Sequence, residues 1–201
     1  FDFQIKEAKY DISIDRAKRI VSILDTGTGI KTHDFEQILT AFGDSPKRKQ
    51  KARGFRGIGR LAGLAYCKEL IFRTKTSDEL FVNELKWDCM KLRSLLVDAS
   101  DECTLNEIVH EITEISSVEY NPTLPNRFFE VVLNGVQPIK NDILMNNELI
   151  ENYISEVCPV PFKNSFKHRT EITNWLAGDD YQEYKVSVSY THLRAHETAV
   201  N

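Results

Sequence analysis

Asp25-Thr26-Gly27-Thr28-Gly29 and Gly54-Phe55-Arg56-Gly57-Ile58-Gly59 are the two stretches whose residue types and spacing offer chemistry. A carboxylate that ends a strand can accept a hydrogen bond from an exocyclic amine, and glycines just after it let the backbone turn sharply and approach a flat ring. Adenine fits such a site. The second stretch clusters backbone N–H groups in a flexible loop ahead of a helix, an arrangement that holds phosphate oxygens through oriented amides and the helix dipole. Each motif alone also has a plain reading. Asp-Thr-Gly ends ordinary strands in a tight turn, and glycines also serve close packing. The pair, in this order and separated by one amphipathic helix and one loop, is more specific than either part.

The elements that must position these residues follow from periodicity. Asp11 to Ile14 alternates polar and apolar, and Arg19 to Leu24 is β-branched and apolar, so two neighbouring strands joined by a polar turn are expected. The second delivers Asp25 at its tip, on the face shared by Val21 and Ile23. Phe35, Ile38, Leu39 and Phe42 recur at helical spacing, with Thr32 as expected N-cap and Gly43 beyond the end. Asp44 to Arg53 has no apolar period and is expected to be an exposed basic loop. Leu61, Leu64 and Ala65 make a helical stripe behind the second glycine group, despite Gly63. Strands are expected at 70–74, 80–87 and 128–133, a mixed and partly helical stretch at 90–111, a short helix at 147–154 and a last strand at 184–188.

Together the two boxes resemble the D-x-G-x-G and G-x-x-G-x-G motifs of the GHKL ATPases, the superfamily of gyrase, the ninety-kilodalton heat-shock chaperone, histidine kinases and the MutL repair proteins. The resemblance covers about residues 10 to 135. It implies an α+β fold, a two-layer α/β sandwich of the Bergerat type with a mixed sheet under helices, followed by the start of a second α/β segment. It also implies ATP as ligand, with Mg2+, and dimerisation as a possible property of the parent protein. By it, Asp25 contacts the adenine amino group directly and through water, Gly29 lines the base, and Gly57 and Gly59 cap the phosphates. The wider binding set is Asp25, Gly27, Gly29, Lys47, Gly54, Phe55, Arg56, Gly57, Ile58 and Gly59, with Lys47 in a segment that resembles the start of the lid in chaperone-like members. Family members carry a helix with an E-x-x-x-N pattern before the first strand. Nothing upstream of Asp11 offers it, so the catalytic base and metal ligand are expected to be missing from the chain, and no catalytic or metal residue is assigned. The Gly-Thr pair that usually precedes the late strand is also absent; Thr123 is a poor substitute by position.

With 201 residues, 41% hydrophobic and 28% charged, the chain has the composition of a soluble globular protein. Residues 1–138 are expected to form the ATP-binding domain, 139–188 a partial transducer-like or connecting segment, and 189–201 a non-native tail. No run of about 20 apolar residues is present and the N-terminus lacks signal-peptide order, so no membrane partner and a cytoplasmic location are the defaults. The net charge of -4 disfavours nucleic acid as the main partner. The basic run Lys47 to Arg53 keeps that alternative open, with steep salt dependence as its mark. A non-catalytic scaffold of the same fold is the other alternative. The four cysteines show no zinc or disulfide spacing. Gly57 to Gly63 misses the dinucleotide fingerprint by one residue and follows a polar run rather than a strand, and no P-loop is present. Gly27 and Gly29 stand where a calcium loop needs oxygen ligands. His192 and His196 sit at i, i+4 like a metal pair but lie in the expected tail.

Overall fold

The computed structural model describes residues 9–40, 59–98, 104–139, 142–177 and 184–190. Among these, seven strands form one sheet: β1 (Lys9–Asp15), β2 (Ile20–Asp25), β3 (Glu69–Lys75), β4 (Phe81–Asp88), β5 (Thr113–Glu119), β6 (Phe128–Asn134) and β7 (Lys185–Tyr190). Their order across the sheet is β5-β4-β3-β6-β2-β1-β7. Every neighbouring pair is antiparallel except β1 with β7, so the sheet is mixed, as expected.

Register sorts the side chains into rows, because paired residues on adjacent strands point to the same face. One row runs Ile12, Ile23, Val131, Phe72, Leu85 and the next Ile14, Val21, Leu133, Leu70, Trp87. These residues meet helices on that face. Helix α1 (Thr32–Thr40) buries Phe35 and Leu39, and α3 (Leu105–Ile112) buries Val109 and Ile112. All four join Ile14, Val21, Leu70, Phe72, Leu85 and Trp87 in one core. The other face mixes the apolar Ile71, Val82 and Val132 with charged pairs. There Arg73 bonds to Glu84 at 2.6 Å and faces Glu130 at 3.6 Å, and Lys86 bonds to Glu114 at 2.7 Å. Helices on one face and charge pairs on the other make the two-layer α/β sandwich that the sequence predicts.

Helix ends have local causes. Thr104 and Glu107 form a capping box at the start of α3, each accepting the other's backbone N–H. Helix α2 (Cys89–Asp98) follows β4 directly, and Asp88 accepts the Met90 and Lys91 amides at 3.0 and 2.8 Å. In α4 (Asn147–Val157) the Asn146 side chain accepts the Leu149 amide.

Four features differ from the sequence reading. The helix behind the second glycine group is a 3-10 helix, Gly59–Ala65, rather than an α-helix. Gly63 lies so close to β3 that a Cβ there would stand 2.7 Å from Leu70 Cδ1, so this stretch follows close packing on the sheet rather than an amphipathic period. Strand β5 had no sequence signal because it is an edge strand that alternates weakly: Ile115 and Val118 fall on opposite faces and both are exposed. The sequence reading has no counterpart of helix α5 (Arg169–Ala177), whose Ile172, Trp175 and Leu176 make only one short stripe, with Trp175 exposed. The fourth concerns Thr32, described below. Strand β7 reaches Tyr190, and its Ser187 hydroxyl donates to Asp11 on β1.

Candidate functional site

Asp25 is the last residue of β2, opposite Tyr10 on β1 and Phe129 on β6. The same row continues through Thr74 on β3 to Asn83 on β4. On the helix-covered face this row brings in Asp25, Thr74 and Asn83 two residues beyond an all-apolar row, and Asp25 stands at that border. It shares its face with Val21 and Ile23, as the alternation requires. Ile23 lies in the middle of an apolar row yet is 37% exposed, and Phe129 and Val131 beside it are only half-buried. An uncovered apolar patch thus adjoins the carboxylate.

Burial pushes the Asp25 carboxyl above the ordinary carboxylate value, against the opposing pull of the Gly27 N–H, which donates to Oδ1 at 2.8 Å. Tyr10 is likewise raised, first by burial and then by the negative charge of Asp25. The carboxylate is an acceptor held in place by one backbone amide, with acceptor capacity left over.

The turn after Asp25 is fixed from below. Gly29 has φ +76, and a Cβ on it would lie 2.4 Å from the Lys75 carbonyl oxygen. Only glycine fits such a position. The next amide, Ile30 N–H, donates to Thr74 Oγ1 at 2.9 Å, and Thr74 Oγ1 donates onward to the Phe128 carbonyl at 3.0 Å. Thr74 is fully buried. It joins the glycine turn to the start of β6 through a single hydroxyl that both accepts and donates.

Helix α1 starts at once, and here Thr32 departs from its expected role. Its amide and its hydroxyl both donate to Glu79 Oε1, at 2.8 and 2.7 Å, while Asn83 Nδ2 donates to its oxygen at 2.9 Å. The carboxylate that serves the first turn therefore comes from the β3–β4 turn, 47 residues along the chain. Burial alone would raise the Glu79 carboxyl, yet the donors from Thr32 and Thr76 hold it below the ordinary value.

Beside this turn an open cleft of about 450 Å³ is lined by Thr26, Ser77, Pro125, Asn126 and Arg127. Of the predicted site residues, Asp25, Gly27 and Gly29 form one turn at its edge. Gly59 opens the 3-10 helix with free space around its Cα. Lys47, Gly54, Phe55, Arg56, Gly57 and Ile58 lie outside the described residues. Sequence reasoning missed Thr74, Lys75, Glu79 and Asn126. One signal for Thr74 existed: alternation puts it on the buried face behind Leu70 and Phe72, where a polar residue needs a partner.

A mixed sheet with helices on one face, a partly buried carboxylate at a central strand tip and a glycine turn packed against the neighbouring strands define a nucleotide-binding sandwich of the GHKL type. A sequence model of the histidine kinase-, DNA gyrase B- and HSP90-like ATPases matches residues 6–117, more than half of the chain, and the chain belongs to that family. It carries an ATP-binding domain of the ATPase type. No curated protein matches the sequence significantly. No helix among the described residues is long and apolar enough to cross a membrane.

Proposed function

We propose that the domain binds ATP with its adenine at Asp25, and that in the intact parent protein ATP hydrolysis drives a conformational change of the chaperone-like kind. The observation that carries this reading is the partly buried Asp25 carboxylate beside the uncovered patch of Ile23, Phe129 and Val131. A flat base laid on that patch presents its exocyclic amine to a fixed acceptor, and apolar contact supplies affinity while the hydrogen bond supplies selection. Gly27 and Gly29 keep the turn low enough for the base to approach. In this reading Lys47 and the loop Gly54 to Gly59 meet the phosphates, with Phe55, Arg56, Gly57 and Ile58 supplying that wall, and closure of the segment 44–53 over ATP is the moving step.

Among the described residues no group of three or more His, Cys, Asp or Glu side chains is placed to hold a metal. Magnesium would accompany the ATP phosphates it neutralises.

Titration of the full chain with ATP tests the reading. Binding by the wild type, weakened at least about tenfold in Asp25→Asn, is expected from loss of a charged acceptor. Absence of ATP binding, or an affinity indifferent to Asp25→Asn, would refute it.

A further inference from the structure

Lys75 is a buried lysine, 2% exposed, at the end of β3. The groups its ammonium contacts directly are neutral: the Asn126 carbonyl at 2.8 Å, Asn126 Oδ1 at 3.0 Å, the Thr76 carbonyl at 3.2 Å and the Tyr120 ring at 4.5 Å, while the Asp78 carboxylate acts on its charge from further off. Three N–H donors and one ring face account for the whole cation. An ammonium can only donate, so Asn126 must face it with oxygen, which leaves the Nδ2 end of the amide for the cleft that Asn126 lines.

The segment that Lys75 holds is otherwise secured by its own turn: Tyr120 O–H donates to the Leu124 carbonyl at 2.7 Å and the Thr123 amide to Asn121 Oδ1 at 3.0 Å. It runs on into Pro125, Asn126 and Arg127, which line the cleft together with Thr26 and Ser77. The main chain of Lys75 serves the Asp25 turn, because its carbonyl is the surface on which Gly29 sits. One residue thus touches both the turn that carries Asp25 and the loop that faces Thr26. The loop cannot swing away without leaving a buried cation short of acceptors, which is costly.

We propose that Lys75 is the positioning residue for the base end of the nucleotide site, acting through Asn126 at the cleft and through Gly29 beneath the Asp25 turn. The proposal rests on the ATP reading above. It makes Lys75 a determinant of affinity for the nucleoside part of ATP without contact between its side chain and the phosphates.

The test titrates the full chain, wild type and two variants, with ATP, adenosine and inorganic tripolyphosphate, with circular dichroism as the check on folding. Lys75→Met should weaken ATP and adenosine by the same factor, on the order of tenfold for a displaced wall, and leave tripolyphosphate unchanged. Asn126→Leu, at an exposed position, should show the same pattern with a smaller factor and decides the matter if Lys75→Met fails to fold. Unchanged adenosine affinity in a folded variant, or an equal loss for tripolyphosphate, overturns the proposal. A wild type that binds tripolyphosphate but neither ATP nor adenosine overturns the ATP reading itself, and the positioning role with it.

Discussion

The Gly27 amide donates to Asp25 Oδ1 at 2.8 Å, and a Cβ on Gly27 would lie 2.6 Å from that same oxygen. The glycine that steadies the carboxylate is therefore also the one that leaves it room. Gly29, two residues on, answers to a different constraint, since its neighbour is the Lys75 backbone rather than a movable side chain.

The two glycines should separate binding from folding. Gly27→Ala displaces the Asp25 carboxylate and should weaken ATP binding while changing stability little. Gly29→Ala combines positive φ with a clash against backbone and should destabilise the fold by about 2 kcal/mol or more. Thermal melts and ATP titration of both variants check the pair of outcomes.

Asp25 should oppose stability to function. Its carboxyl is raised, so the native state favours the protonated form; the stability this represents is full below the ordinary carboxylate range and is lost as pH rises through the raised value. At neutral pH the buried charge is a burden. Asp25→Asn should then melt at a higher temperature than the wild type at pH 7 while binding ATP less well. Wild-type ATP affinity should fall as pH drops through the Asp25 titration, because the amine needs the ionised acceptor, and Asp25→Asn should lack that pH dependence.

Glu79→Ala should cost about 1 kcal/mol, the usual worth of a helix-capping side chain. Its carboxyl is held low, so its contribution is present above the ordinary carboxylate value and disappears as pH falls through the depressed one. Urea melts at pH 7 and in acid should show the difference between variant and wild type shrinking on acidification.

Arg19 and Asp142 clasp the β1–β2 turn to the chain after β6. Arg19 donates to both Asp142 oxygens, at 2.9 and 2.6 Å, and through Nε to the Val136 carbonyl at 2.6 Å, while the Val136 amide returns a bond to the Arg19 carbonyl at 2.8 Å. Both residues have positive φ, 55 and 54. Asp142→Asn keeps a residue that tolerates this conformation but removes the charge. Faster amide exchange at Val136 and along 142–157, with β2 and β3 unchanged, is the expected result by hydrogen exchange.

Much of the sheet was legible because β1 alternates and β2, β3 and β6 carry β-branched and apolar runs, as buried strands do. The placement of Asp25 followed from the same alternation through Val21 and Ile23. Strand β5 was not legible, since an edge strand with both faces partly wet has no reason to alternate. Thr32 as N-cap was a sound local inference; a carboxylate from the β3–β4 turn took the amide instead, and nothing within four residues of Thr32 announces Glu79.

Short-range facts are written in the chain: an acceptor at a strand tip, glycines to turn the backbone beneath a ring, a helix immediately after, and membership of a family whose motifs these are. Periodicity and φ preference act over a few residues, so these survive translation from sequence to structure. It takes the folded sheet to show that Thr74 and Lys75, adjacent on β3, bond to the Asp25 turn and to the Tyr120–Arg127 loop from opposite faces. Hydrogen bonds and buried charge choose partners by distance in space, and partners 44 and 51 residues apart leave no local mark on the chain.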